Sequence, residues 1–282
     1  MQTKKYLLKI TCLDKAGIVA EISTAIFHLG GFIVAFDQFS DPDTNQFFMR
    51  AVFEVSKDEE SVAKAMKPSF EKFHITVELR DLEKRPKLLI LCSKESHCLN
   101  NLLNKQKTSL LPAEISAIVS NHNILKEMAD WYKIPYYHLS ITPDTKNSQE
   151  AQLKAIISKY EIDYIILARY MQILSPEFCN TYPGKIINIH HSFLPSFKGA
   201  NPYLQAYQGG VKVIGATAHF VTPNLDEGPI IHQETIPVDH SFTPQELTSH
   251  GADVEAVVLS KAVKYVLEGK VFIDKHKTVV FK

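Results

Sequence analysis

Apolar positions recur along the chain in two rhythms, and the change between them falls near residue 86. Residues 6–11 (YLLKIT) are rich in strand formers, and residues 17–29 place Ile18, Ile22, Ala25, Ile26 and Leu29 at the spacing of one helical face. Asp14 stands ahead of that helix as a candidate cap. Gly30-Gly31 ends it, because glycine readily takes the left-handed conformation that closes helices. Residues 33–39 and 46–55 predict two strands about the turn Asp41-Pro42-Asp43-Thr44-Asn45. In the second of these, Phe47, Met49, Ala51, Phe53 and Val55 alternate with the rest, although both faces are fairly apolar. A helix from about residue 59 is expected to break or restart at Pro68, which has no N–H to give the preceding turn. A strand at 75–79 completes a βαββαβ order, that of a ferredoxin-like unit.

Beyond residue 86 the pattern is α/β. Short aliphatic runs at 88–91, 115–120, 136–139, 163–168 and 185–189 alternate with helical stretches at 99–103, 125–132 and 146–160. Continuous apolar strands alternating with helices predict a Rossmann-like, mostly parallel sheet covered on both faces. In such sheets the ligand crevice lies beyond the carboxyl ends of the strands. The run Arg80-Asp81-Leu82-Glu83-Lys84-Arg85-Pro86 holds five charges and a proline in seven residues, a composition suited to solvent. The expected organisation is therefore a first domain at 1–80, a linker at 81–86 and a second domain at 87–282.

Composition narrows the function classes. Lys+Arg and Asp+Glu are 31 each, so the chain lacks the positive excess of a general nucleic-acid binder or a basic membrane-surface protein. No apolar run approaches the ~18–20 residues that span a bilayer, and the first residues do not read as a signal peptide. The four cysteines, Cys12, Cys92, Cys98 and Cys179, are few and widely spaced, which predicts free thiols in a cytoplasmic protein.

The chemistry concentrates after the strand at 185–189. Asn188, His190 and His191 leave it, Thr217-Ala218-His219-Phe220-Val221 follows, and then Asp226-Glu227-Gly228-Pro229. An amide donor, an imidazole and a carboxylate are the parts needed for attack on a carbonyl: a donor for the oxyanion, a proton shuttle, and a group that orients water. Residues i and i+2 of a strand face one side, so Asn188 and His190 can share a crevice while Ile189 turns into the core. The same residues could equally cap the strand end and bond loop backbone; spacing alone does not choose. A zinc site is disfavoured, since no HxxxH pair sits with a neighbouring Glu and no Cys pair is present. His191 is expected to face away from His190. Ser192 and Ser196 lack the G-x-S-x-G elbow of a serine hydrolase. Cys98 beside His97 is not placed as a nucleophile, because adjacent helical residues do not face each other.

The stretch NIHHSFLPSFKGANPYLQAYQGGVKVIGATAHFVTPNLDEGPII resembles the signature of folate-dependent formyltransferases, and residues 87–282 as a whole resemble that domain. The first 80 residues resemble an ACT domain, with Leu13-Asp14-Lys15-Ala16-Gly17-Ile18-Val19 as its ligand-loop motif. This pairing, with the runs SKESHCLN, LARYMQILSPEF and INIHHSFLPSFKGA, is similar to the formyltetrahydrofolate deformylase family over essentially the full chain.

The resemblance implies hydrolysis of 10-formyltetrahydrofolate to formate and tetrahydrofolate, in support of one-carbon metabolism and purine biosynthesis, with Asn188, His190 and Asp226 as the catalytic set. It implies folate contacts at Met171, Gln172, Leu174, His219, Val221 and Leu225. It implies a small amino-acid effector at Asp14, Gly17 and Ile18, a homo-oligomer built as a dimer of dimers, and no metal or redox cofactor. At Asn201 and Leu204 the chain departs from the basic residue and histidine usual in relatives. Related transferases that act on a phosphorylated amine hold the phosphate with a glycine-rich turn after the first strand of this domain. Ser93-Lys94-Glu95-Ser96-His97-Cys98 has no glycine there and adds the negative Glu95, although Lys94 and His97 could bind an anion by side chain. Water then becomes the acceptor. Two other readings stay open: formyl transfer to a different amine, and an effector sensor that binds folate without turnover.

Overall fold

A computed structural model describes residues 3–142, 144–195 and 202–282, and the chain divides into two compact units. The first comprises Met1–Arg85, Gly269–Phe272 and Val279–Lys282; the second comprises Pro86–Glu268 and Ile273–Thr278.

In the first unit, β1 (Lys4–Leu13), α1 (Ile18–His28), β2 (Phe32–Asp41), β3 (Gln46–Val55), α2 (Glu59–Lys72) and β4 (Thr76–Asp81) follow the βαββαβ order. The antiparallel sheet runs β2-β3-β1-β4, the ferredoxin-like arrangement. Ile18, Ile22 and Ile26 of α1 and Val62, Met66 and Phe70 of α2 bury against Tyr6, Leu8, Ile10, Met49 and Phe53. Two local expectations fail. Pro68 lies inside α2 without ending it, because the buried stripe Val62, Met66 and Phe70 continues across it and offsets the missing N–H. Asp14 does not cap α1: the N-cap is Gly17 at φ 96°, with no side-chain bond. At the expected start of the linker, Asp81 closes β4, is 2% exposed and pairs with Lys4 Nζ at 3.3 Å.

The two apolar faces of β3 have a physical reason. Leu7, Phe48 and Val52 point away from the helices yet are buried, because the last residues of the chain return to this unit. Phe272 meets Phe48 edge-on at 5.6 Å, and Phe281 meets Phe272 at 5.7 Å. Gly269 takes φ +67° and passes so close that a Cβ there would lie 2.3 Å from Leu7 Cδ2.

The second unit contains β5 (Lys87–Cys92), α3 (His97–Lys107), β6 (Glu114–Ser120), α4 (Lys126–Trp131), β7 (Tyr136–His138), α5 (Lys146–Tyr160), β8 (Tyr164–Ala168), α6 (Pro176–Thr181), β9 (Ile186–His190), α7 (Pro202–Gln208), β10 (Val213–Phe220), β11 (Ile230–Pro237) and α8 (Pro244–Leu267). Two short strands, β12 (Val271–Asp274) and β13 (Lys277–Val280), pair as a ribbon. The seven-stranded sheet runs β11-β10-β9-β8-β5-β6-β7. Five strands are parallel, and β10 and β11 add to one edge antiparallel. Leu89, Leu91, Ile165 and Leu167 pack against α5 and α6, while Leu88, Ile90 and Ile166 on the opposite face are also fully buried. The chain steps from β5 outward to β7, then crosses back to β8 beside β5. Strand order reverses there, and a crevice opens at the carboxyl ends.

Candidate active site

The crevice has a volume of about 880 Å³ and lies wholly in the second unit. Its walls come from the segments after β5 and β8, the ends of β9 and β10, the loop after β10, and one face of α8.

Each wall is held by polar contacts that local periodicity does not reveal. After β8, Met171 N–H donates to Ser93 Oγ at 3.0 Å, and Ser93 Oγ donates to Asn121 Oδ1 at 2.7 Å. Gln149 and Glu150 of α5 are buried: Gln149 Nε2 donates to Tyr170 OH at 2.7 Å, and Glu150 accepts from Ser175 N–H at 2.7 Å. After β9, the buried Thr217 Oγ1 accepts from Leu194 N–H and donates to Ser192 O, while Gln233 Nε2 bonds both Thr217 Oγ1 and Leu194 O. At the end of β10 a bulge between Ala218 and His219 re-aims the strand. The loop then returns on itself, with Phe220 N–H donating to Pro229 O at 2.9 Å. Gly228 allows this: a Cβ there would lie 1.7 Å from Phe220 O. Two residues earlier, Asp226 takes the left-handed conformation at φ 56°.

These devices bring Asn188, His190 and Asp226 to one place. Asn188 and His190 leave β9 on the same face, and Asn188 stands opposite His219 in the β9–β10 register. His190 Nδ1 is 3.4 Å from Asp226 Oδ2, and His219 Nε2 is 3.7 Å from Asp226 Oδ1. His219 is 2% exposed; its Nδ1–H donates to Phe220 O at 2.9 Å, so Nε2 is the bare nitrogen and accepts from Asn188 Nδ2 at 3.2 Å. Burial lowers the His219 pKa and keeps this tautomer neutral. One N–H of the Asn188 amide is thereby committed, and the second is left without a partner among the described residues. His190 Nε2 is buried and has no hydrogen-bond partner among the described residues. Hydrogen bonding with His190 holds the Asp226 carboxyl below the usual carboxylate range against its burial, and attraction to His190 acts in the same direction.

All nine positions read from the sequence as catalytic or folate-contacting in this unit line the same crevice: Met171, Gln172, Leu174, Asn188, His190, His219, Val221, Leu225 and Asp226. Met171 and Leu225 are 55% and 60% exposed, apolar surface offered to a ligand. His191 departs from expectation. It lines the crevice, with its ring 5.1 Å from that of His190. Burial, with the charges of Arg169 and His190, lowers its pKa to about 4. Ser196 and Asn201 lie outside the described residues, whereas Leu204 lines the crevice. In the first unit Gly17 is exposed, Asp14 is half-buried and Ile18 is buried.

Sequence reasoning missed a second cluster in the crevice wall. Glu255 of α8 is 1% exposed and accepts from Tyr203 OH at 2.5 Å; His97 Nε2 lies 2.8 Å and Arg169 Nε 3.3 Å from it. Burial pushes the Glu255 carboxyl up, but these three neighbours together hold it below its ordinary range. His97, Cys98 and Glu255 place donor atoms within 4.8 Å of one another. The set suits a cation poorly, because burial holds the Cys98 thiol protonated and Arg169 already sits on the carboxylate.

Residues 86–263 match the formyl transferase family. The chain is 41% identical over 278 residues to formyltetrahydrofolate deformylase of Bacillus subtilis, covering 97% of this chain and 93% of that one. The chain belongs to the formyltetrahydrofolate deformylase family. A crystal structure of a deformylase from Pseudomonas syringae pv. tomato superimposes with a TM-score of 0.97 at 38% identity, covering 100% of this chain and 96% of that one. A glycinamide ribonucleotide transformylase from Symbiobacterium toebii superimposes with a TM-score of 0.66 at 28% identity, over 70% of this chain and 95% of that one. The deformylase likeness thus spans both units. Among the described residues, no helix is long and apolar enough to cross a membrane.

Proposed function

We propose that this deformylase hydrolyses 10-formyltetrahydrofolate to formate and tetrahydrofolate, with Asn188, His190 and Asp226 as the catalytic residues. The observation that carries this reading is their convergence at the carboxyl end of strand β9: a low-pKa carboxylate 3.4 Å from an imidazole, beside an amide with an N–H free among the described residues. The Asp226 carboxylate, oriented by His190, takes a proton from water as the water oxygen attacks the formyl carbon. The free N–H of Asn188 and the His190 ring stabilise the oxyanion. The C–N10 bond then breaks, N10 gains a proton, and formate and tetrahydrofolate leave. His219, both of whose ring nitrogens are engaged, is a positioning residue that sets the Asn188 amide. The exposed apolar surface of Met171 and Leu225, with Gln172, Leu174 and Val221, receives the folate ring system.

The first unit is read as an ACT module whose Asp14, Gly17 and Ile18 loop takes a small amino acid. The unpaired outer edges of β2 and β4 support pairing between copies into a dimer of dimers. No metal or redox cofactor enters this chemistry, and the setting is the cytoplasm.

The test is formate release from 10-formyltetrahydrofolate by purified protein with no amine present, repeated with Asp226→Asn. Turnover in water that vanishes in the variant is the expected result. Turnover only after an amine is added would make the protein a transferase, and tight folate binding without turnover would favour the sensor.

A further inference from the structure

The hydrolytic steps above do not use the cluster of Arg169, Glu255, Tyr203 and His97. Arg169 directly follows β8 at φ 60°, a conformation glycine takes at no steric cost, and carries a long cation there instead. Non-glycine residues held in that region concentrate at functional sites. Arg169 lines the crevice, and its Nε lies 3.3 Å from Glu255, which is itself fixed from two further elements by Tyr203 and His97. His191, on the crevice wall, feels both charges, the guanidinium more strongly than Glu255.

Water and amines differ in what they need from such a site. A primary amine at neutral pH is chiefly an ammonium ion. It has to lose a proton and enter beside a fixed positive charge, whereas water is small and uncharged. The fold is shared with a transformylase, so discrimination between acceptors falls to side chains rather than to the scaffold.

We propose that Arg169, held by Glu255, Tyr203 and His97, fills and positively charges the part of the crevice an amine nucleophile would occupy, and so leaves the formyl carbon open to water alone. This inference rests on the hydrolytic reading above. Attack by water forms a C–O bond, breaks C–N10 and moves a proton to N10, giving formate. Attack by an amine would form a C–N bond, break C–N10 and pass the amine's proton to N10, giving an N-formyl amine.

The experiment follows a carbon-13-labelled formyl group from 10-formyltetrahydrofolate in the presence of glycinamide. It compares the wild type with Arg169→Gly, which fits the backbone, and with Arg169→Met/Glu255→Gln, which keeps volume and leaves no buried charge unpaired. Folding is checked by circular dichroism and thermal unfolding. The wild type should give formate with only a trace of N-formyl product, and that fraction should rise about tenfold or more in both variants. An unchanged partition in folded variants, or a wild type that formylates glycinamide readily, would overturn this inference while leaving formate release intact. A wild type that releases no formate in water would overturn the hydrolytic reading and this inference with it.

Discussion

His191 gives a direct test of the electrostatics of the crevice. Its imidazole is displaced from the ordinary 6.5 to about 4, by burial first and then by the charges of Arg169 and His190, against the opposing pull of Glu255 and Asp226. Between those two values the unfolded chain binds a proton that the folded protein does not. Stability from this residue is therefore complete above the unfolded value and is lost as pH falls through the window. The full displacement corresponds to about 3 kcal/mol, of which about 2 kcal/mol is lost by about pH 4.5. His191→Phe keeps a ring against His190 and Tyr203 and removes the titration. Urea unfolding of both proteins, followed by circular dichroism at about pH 7, 6, 5 and 4.5, gives the stability difference at each pH. That difference should move in favour of the variant by about 2 kcal/mol on acidification. A difference that stays flat to within about 0.5 kcal/mol would refute the reasoning, because it would mean that His191 titrates alike in the folded and unfolded chain.

Other expectations follow from the same geometry. On the proposed mechanism Asn188→Ala should lower kcat by about 10²–10³ with little change in Tm, since it would remove an oxyanion donor from a half-open position; near-full turnover would remove Asn188 from the mechanism. In Gly228→Ala the new methyl would meet Phe220 O at 1.7 Å, so the loop carrying Asp226 has to move. Turnover should fall by about 10²-fold in steady-state assays, together with a lower Tm. All four cysteines are buried, and burial pushes Cys92 up to about 12 and Cys98 well up. Ellman's reagent should therefore label none of them in the folded protein and all of them in guanidinium; rapid labelling of any one in native buffer would contradict the packing.

Local patterns predict an element well where its apolar positions pack into a core. The helix expected at 146–160 is α5, and the strand expected at 46–55 is β3. Pro68 misled because its cost is local, while the stripe that carries α2 past it is not. Asn188, His190 and Asp226 could be picked out because strand end, residue type and a family signature coincide. The Arg169–Glu255 cluster could not. Glu255 lies on α8, which packs against α3, β9, β10 and β11, and its partners come from distant parts of the chain. No spacing rule brings Glu255 to Arg169; only the reversal of strand order beside β5 does. His191 was misplaced for a related reason, because alternation along a strand stops predicting direction once the strand has ended at His190.

The return of residues 269–272 and 279–282 to the N-terminal sheet has a consequence for biosynthesis. The ribosome makes residues 4–81 well before the segments that cover Leu7 and Phe48. Throughout synthesis of the intervening stretch, the nascent sheet carries an uncovered apolar face of the kind that recruits chaperones or associates with other chains. A fragment cut at the apparent boundary near residue 86 would carry that exposure permanently. A soluble N-terminal fragment therefore calls for grafting the terminal segments back on or for polar substitutions at Leu7, Phe48 and Val52.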